Sequence, residues 1–362
     1  VYLFFIKIKT MKSLNNFFPK SKKIPIDRFF ENVLYDKKFG YYSKKNPFGV
    51  KGDYITSPLI SRLFSEMIAI WLINVWQEID RPKKFNVVEL GPGNGELAKI
   101  LIESFKNFNE FYKSTSIFLY EKSQILKKIQ KNKIKDKKVR WISNFEEIKK
   151  GPTIFIGNEF FDAIPIKQFK KKNGSVYEKY VELNENNSLK VSLKKINNNK
   201  IFKKYKTLEK LSFIEFPEAG FRELDKITKK IKKLGGGLLL IDYGYTNQQN
   251  KNTLQSVMKQ KKNNLFNNLG DADITSLVNF KLLKEYFIKN KLIVNKIVSQ
   301  KEFLEKIGIL ERAEIISKKM SFKEKSNIFF RVSRLIHQNA MGSLFKVIFS
   351  YRLIKKISLG FD

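Results

Sequence analysis

The chain of 362 residues has no cysteine and a single histidine, His337. Disulfides, thiolate metal sites and cysteine nucleophiles are excluded outright. One imidazole leaves no basis for a Ser-His-acid triad or a histidine-rich metal centre, so no metal is expected. Long hydrophobic runs are also missing, and none reaches the ~20 residues that cross a bilayer. The opening Val1-Tyr2-Leu3-Phe4-Phe5-Ile6 is short, is interrupted at once by lysine and lacks a small-residue cleavage site. It is read as neither a membrane span nor a secretory leader, and Met11 is a candidate initiator. A soluble, internal protein is expected, and a reducing compartment fits the absent cysteine. Acidic residues are scarce, with 35 Asp and Glu against 71 Lys and Arg and a formal net charge of +36.

Such a balance is the electrostatic footprint of nucleic-acid binding. The basic residues are nearly all lysine, however, spread along the whole chain beside abundant Asn, Ile and Phe. AT-rich coding bias produces the same composition, so nucleic acid is not the expected partner. Runs such as Lys170-Lys171-Lys172 and Lys229-Lys230…Lys232-Lys233 read as solvated faces or turns. A basic surface would still favour an acidic partner.

The most informative stretch runs from Phe85 to Leu97: a buried strand, a loop with Gly91, Gly93 and Gly95 at alternate positions, then an apolar-periodic helix. Glycines there let the backbone approach a ligand without interference from Cβ atoms. A dinucleotide fingerprint would need glycine at position 96, which is Glu96. With Glu89 near the end of the strand, this spacing cradles the amino-acid half of S-adenosyl-L-methionine (SAM); an ordinary tight turn is the alternative.

The hydrophobic fraction of 42% over this length supports one elaborate domain or two. A Pro-led helix from Ile24 runs into the aromatic turn Phe39–Tyr42. Ser57 is a natural N-cap and Pro58 a natural first helical residue for a long apolar helix that continues to Ile79. Strands are expected at Phe85–Leu90, Ser116–Glu121, Val139–Ile142 and Thr153–Gly157, and again at Leu238–Ile241 and near Leu292–Val298. Asn173-Gly174 marks a hairpin. A helix is expected from Glu218 to Leu234, a polar loop through Asp273, and a helix over Leu277–Lys289. The divisions are 1–84, an N-terminal helical segment; 85–165, the first half of an α/β core; 166–217, a β-rich insertion; 218–300, the second half; and 301–362, helical.

In a doubly wound sheet, ligands sit beyond the carboxyl ends of the strands. Glu121 closes the second strand, where a carboxylate takes ribose hydroxyls. Ile142 and Ser143 end the third, where an adenine would lie. Asn158 and Glu159 end the fourth, and Asp242 and Tyr243 the later one.

The blocks Gly40-Tyr41-Tyr42, Asn46-Pro47-Phe48-Gly49, Gly52-Asp53-Tyr54-Ile55-Thr56-Ser57-Pro58 and Glu89–Gly95 occur in that order. Asn158-Glu159-Phe160-Phe161-Asp162-Ala163-Ile164-Pro165, Ile241–Gly244, Thr253-Leu254-Gln255 and Asp271–Thr275 follow. Phe303–Ile309 and Met341–Val347 complete the series. In these blocks the chain resembles the MidA family, SAM-dependent protein-arginine methyltransferases known in mitochondria as respiratory complex I assembly factors. The resemblance extends from Ile24 to Gly360. It implies a class I, Rossmann-like methyltransferase core, with a β-rich insertion and helical additions at both ends, that transfers methyl groups from SAM to arginines of a hydrogenase-like complex I subunit. It further implies cofactor binding by Glu89, Gly91, Gly93, Gly95, Glu121, Ile142, Ser143, Asp53 and Ser57. Catalysis is expected from Glu159, Asp162 and Asn158. Substrate contacts are expected from Tyr41, Tyr42, Phe160, Phe161, Asp242, Tyr243 and Asp273. Location would be cytoplasmic in a bacterium and the mitochondrial matrix in eukaryotic relatives. Gln260, Leu277 and Asn279 replace side chains common in the family, so no base is expected from those positions. The alternatives are an RNA or DNA amino-methyltransferase, or a SAM-binding assembly factor without activity. Base-amino enzymes usually follow the strand-end Asn with Pro-Pro-aromatic, whereas Glu159 and Phe160 stand here.

Overall fold

The computed structural model describes residues 14–19, 21–44, 46–49, 52–197, 200–247 and 249–362; Met11 and the opening apolar stretch lie outside the described residues. In chain order the strands are β1 (Lys23–Pro25), β2 (Phe85–Leu90), β3 (Thr115–Tyr120), β4 (Val139–Ile142), β5 (Thr153–Asn158) and β6 (Lys167–Lys172). They continue with β7 (Ser175–Leu183), β8 (Leu189–Ile196), β9 (Phe213–Phe216), β10 (Gly236–Tyr245), β11 (Gln255–Met258) and β12 (Lys261–Asn263). The last are β13 (Asp273–Thr275), β14 (Val278–Asn279), β15 (Ile293–Val294), β16 (Val298–Ser299) and β17 (Phe345–Arg352). The chain forms two units: Val1–Tyr54 with Asp162–Glu223 and Asn247–Leu277, and Ile55–Phe161 with Leu224–Thr246 and Val278–Asp362.

The second unit is built on one sheet in the order β15-β17-β10-β5-β2-β3-β4, with β14 added to β10 and β16 to β17. From β4 to β10 every neighbour pairs in parallel, and β17 runs antiparallel to β10. All six residues of β2 are buried, as in a strand covered on both faces. Helices Arg62–Glu78 and Glu96–Phe105 contribute Phe64, Ile68, Leu72, Leu97, Ala98 and Leu101 to the core beside the sheet. The helix expected to run unbroken from Pro58 is interrupted. Ser61 is extended, at φ −147° and ψ 129°, and its Oγ accepts from Leu63 N–H at 3.3 Å. A one-turn helix, Ser57–Ile60, therefore precedes the long one, with Thr56 rather than Ser57 at its N-cap.

The stretch 301–362 is not wholly helical, because Phe345, Val347, Ile348, Phe349 and Tyr351 form the interior of β17. Aromatic and β-branched residues in that density suit a pleated, buried surface. Lys230 is not solvated: only 3% exposed, it donates to Glu146 at 3.0 Å and to Ile148 O at 3.3 Å.

The first unit is antiparallel in its five-stranded sheet, ordered β1-β7-β6-β9 with β8 on β7. Asn173 and Gly174 join β6 to β7 with φ of 49° and 70°, both positive as a primed hairpin turn requires. The polar loop expected through Asp273 is instead a three-stranded sheet, β12-β11-β13. Helix Ile26–Tyr35 buries Phe29, Phe30 and Val33 in a core with Phe17, Tyr41, Val181 and Ile274. Lys167, on β6, is ringed by Asp27 and Glu178 at 3.4 and 2.8 Å.

Trp71 anchors the core of the second unit. It is fully buried, meets Phe349 edge-on at 4.9 Å, and donates from Nε1 to Leu359 O at 3.1 Å. Trp71→Ala is expected to lower stability by ~3–5 kcal/mol, the usual cost of emptying a large aromatic site. The midpoint and slope of denaturant unfolding measure it, with an unchanged slope expected.

Candidate functional site

Chain order reverses in the sheet between β2 and β5: β3 and β4 lie on one side of β2, and β5 and β10 on the other. Loops leaving adjacent strands at such a reversal diverge and open a crevice beyond the carboxyl ends. The candidate groups of the second unit sit at those ends.

Gly91, Gly93 and Gly95 have φ of 62°, 55° and 78°, left-handed values that suit glycine. A Cβ on Gly91 would lie 2.9 Å from the Phe160 ring, so the loop after β2 and the turn after β5 pack through that missing atom. Gly95 caps helix Glu96–Phe105, directing its first N–H groups toward the end of β2. Glu89 is buried there; burial first and the charge of Glu121 second push its carboxyl up to about 8, against the pull of Ala98 N–H.

Glu121 follows β3. Its Oε1 accepts from Ser123 N–H at 2.8 Å and its Oε2 from Gln130 Nε2 at 3.2 Å. Burial raises its pKa, and these donors oppose the rise. Ile142 is buried at the end of β4, whereas Ser143 is exposed and its N–H is taken by Glu147 at 3.0 Å.

Glu159 stands just past β5 with φ of 51°, an uncommon and strained setting for a residue with a side chain. Its Oε1 accepts from Ser57 N–H at 3.0 Å and from Asn158 Nδ2 at 3.1 Å. Burial nonetheless lifts its pKa to about 7. Asn158 Oδ1 is buried and has no partner among the described residues. Asp242, wholly buried at the end of β10, accepts at Oδ2 from Phe160 N–H (3.1 Å) and Phe161 N–H (2.7 Å). Its Oδ1 accepts from Tyr243 N–H at 2.8 Å. In this arrangement Asp242 holds the turn that carries Glu159. Ser57 is brought to Glu159, and Tyr243 packs on Phe345 at a ring separation of 4.1 Å.

The remaining sequence candidates belong to the first unit. Tyr41 is wholly buried and donates to Asp53 Oδ2 at 2.7 Å, while Tyr42 donates to Asp273 Oδ2 at 3.0 Å. Asp53 Oδ1 accepts from Lys259 N–H at 2.6 Å. Burial pushes Asp273 to about 6 and both tyrosines well above their ordinary value. This network ties helix Tyr41–Lys44 to β13 and to the turn before β12. Asp162 is buried in the same unit, its carbonyl accepting from Ser276 N–H at 3.0 Å. Among the replaced family positions, Asn279 caps helix Phe280–Lys289 by accepting from Leu282 N–H at 3.0 Å.

Sequence reasoning missed Gln130. Its signal was an amide in line with the buried Leu126 on a lysine-rich helix, Gln124–Lys133, whose C-cap Ile134 continues the stripe. Among the described residues no cluster of His, Cys, Asp or Glu could hold a metal ion, and no helix is long and apolar enough to cross a membrane.

The residues of the second unit fit SAM on chemical grounds. Glu89 Oε2 is buried without a hydrogen-bond partner among the described residues, an acceptor suited to a cationic amino group. The glycine loop leads into a helix N-terminus, a setting suited to a carboxylate. Glu121 keeps acceptor capacity for ribose hydroxyls, because each carboxylate oxygen carries two lone-pair sites.

Residues 67–298 match a family profile described as "Putative S-adenosyl-L-methionine-dependent methyltransferase". A Caenorhabditis elegans protein named protein arginine methyltransferase NDUFAF7 homolog, mitochondrial, is 31% identical over 76% of this chain and 70% of its own length. The Xenopus tropicalis protein arginine methyltransferase NDUFAF7, mitochondrial, is 26% identical over 89% of this chain and 81% of its own. A crystal structure from Burkholderia thailandensis bound to S-adenosyl-homocysteine aligns with a TM-score of 0.78 at 22% identity, covering 94% of this chain and 89% of that one. At that identity the likeness concerns the fold.

Gly93→Val is expected to abolish SAM binding in calorimetry while the far-UV circular dichroism stays native. Its branched side chain meets both the left-handed φ and the space the ligand needs. A second expectation concerns pH. Glu89 rises from an ordinary 4.5 to about 8 on folding, so the folded state holds its proton more tightly than the unfolded chain. Its contribution to stability is complete below ~4.5 and is lost as pH rises toward ~8. Denaturation of the ligand-free protein across that window should show falling stability, and Glu89→Gln should flatten part of the fall, with Glu121, Glu159 and Asp273, all raised by burial, contributing in the same direction.

Proposed function

The chain belongs to this family of S-adenosyl-L-methionine-dependent methyltransferases, and from that premise we propose that it methylates arginine side chains of a protein. The acceptor we propose is a hydrogenase-like subunit of respiratory complex I, during its assembly. The observation that carries the reading is the Asn158–Glu159 pair. A partly buried carboxylate poised near 7 lies beside a buried amide oxygen that has no partner among the described residues, on a turn fixed from behind by Asp242.

Bound SAM supplies an electrophilic methyl group. The protein's task is to hold one nitrogen of a guanidinium in line and to manage its proton. A guanidinium is charged at any working pH and presents several N–H donors in one plane. Glu159 and Asn158 Oδ1 offer adjacent acceptors for two of them, and the carboxylate localises density on the attacking nitrogen. An ionised carboxylate is costly in this partly buried setting until a cation arrives, which favours guanidinium over a neutral base amine. The methylated nitrogen must lose a proton, and a carboxyl with pKa near neutrality is suited to take it. Phe160, lying against Gly91, helps exclude water.

Glu159→Gln tests this. SAM affinity should remain near wild type, while labelled-methyl transfer to purified complex I subunits should fall by roughly a hundredfold or more. The wild-type rate should rise with pH through about 7 as Glu159 ionises, and that rise should vanish in the variant. Total RNA assayed in parallel should stay unlabelled. Labelling of RNA alone, or a variant as active as wild type on protein, would remove the proposal.

A further inference from the structure

Helix Gln124–Lys133 is lysine-rich, yet Gln130 on it is completely buried. One nitrogen of its amide serves two parts of the cofactor site: Nε2 donates to Gly93 O at 2.7 Å and to Glu121 Oε2 at 3.2 Å. Its Oε1 accepts from Trp141 Nε1, on β4, at 2.9 Å, which fixes which end of the amide faces the site. The side chain also packs under the loop, since a Cβ on Gly95 would lie 3.2 Å from Gln130 Cγ.

We propose that Gln130 is a positioning residue that locks the glycine loop, which receives the amino-acid end of SAM, to Glu121, which receives the ribose. Each donor hydrogen has a definite acceptor, and both acceptors belong to the cofactor-binding elements. Without this amide, the Gly93 carbonyl and the Glu121 carboxylate would face one another as two acceptors with no donor between them. Both ends of the cofactor would then meet groups free to turn away. This inference rests on the SAM site and not on arginine as the acceptor, so its binding measurements need no protein substrate.

The measurement is SAM and S-adenosyl-homocysteine affinity by calorimetry on the full chain. Gln130→Met keeps the length and the packing but removes both donors. It should weaken both ligands by roughly ten- to a hundredfold, the range for losing a buried bond to a charged acceptor. At saturating SAM, turnover should stay within about threefold, so the loss appears in KM for SAM and not in kcat. Trp141→Phe, which frees the amide to flip, should weaken binding less, and the double variant should be no worse than Gln130→Met alone.

Gln130→Glu supplies a readout that mere packing would not move. The charged groups around that position are Glu121, Lys127 acting on Glu121, Glu89, whose carboxyl the charge of Glu121 pushes up, and Lys131 over the Trp141 ring. At neutral pH the new carboxylate would oppose Glu121 and the Gly93 carbonyl, and once protonated it would again carry a donor. Affinity of Q130E should therefore be poor at high pH and recover toward wild type as pH falls, relative to wild type measured at each pH. Should Gln130→Met prove unstable, this profile still decides. Wild-type affinity in both variants, a kcat loss with unchanged SAM affinity, or a Q130E affinity deficit independent of pH would overturn the proposal.

Discussion

Parallel pairing of β2 with β5 is the constraint on which the second unit depends, because it sets the place where the sheet changes direction. Asn86 through Leu90 lie against Thr153 through Gly157, and each strand then delivers its loop to the same edge. Side-chain chemistry secures the start of the pairing: Asn86 Nδ2 donates to Lys150 O, Gly151 O and Thr153 Oγ1 at 2.9 to 3.1 Å. On the far side of β5, a Cβ on Gly236 would fall 2.0 Å from Thr153 O, so β10 approaches only through glycine. With β10 in place, Asp242 reaches the N–H groups of Phe160 and Phe161 and stabilises a backbone turn that Glu159 would not adopt unaided.

Three carboxyls, Glu89, Glu121 and Glu159, share the carboxyl edge of this sheet, and burial raises all three. A fold selected for stability alone would place apolar or fully paired groups there. Among the described residues Glu89 retains an acceptor oxygen without a partner, and Asn158 another. Unsatisfied acceptors at strand ends are costly in the empty protein and favourable once a cation occupies the site. The cost of these acceptors in the empty protein and their affinity for a positively charged ligand thus have one physical source.

In the first unit, polar chemistry is spent inward. Tyr41, Tyr42, Asp53 and Asp273 bond to one another or to nearby main chain, and Gln168, Glu215 and Thr253 form a second buried set with bonds of 2.6 to 3.0 Å. Such networks favour one arrangement of short elements whose apolar faces are small. The short strands β11 to β13 are an example, and hydrophobic alternation alone would not have marked them as a sheet.

Strands β2 to β5 and β10 and the helix over Glu218–Leu234 were legible in the residues alone, since apolar runs of strand length and an amphipathic stripe admit little else. The strand expected near Leu292–Val298 is instead two short ones, β15 and β16. The sequence also marked the glycine loop and the carboxylates at strand ends, because a cofactor that must touch backbone requires residues without Cβ atoms at fixed spacing. What it left open depended on partners far away in the chain. The extended backbone at Ser61 that divides the helix, β17 within a stretch read as helical, and the burial of Lys230 against Glu146 are all contacts across long separations. Asp242 looked like a substrate ligand by its position, yet its oxygens serve the turn after β5. Gln130 looked like one more polar residue on a basic helix until the fold enclosed it between Gly93, Glu121 and Trp141. Local periodicity records which face of an element is buried, whereas the use of a buried polar atom is decided by whichever groups the fold brings within hydrogen-bonding distance.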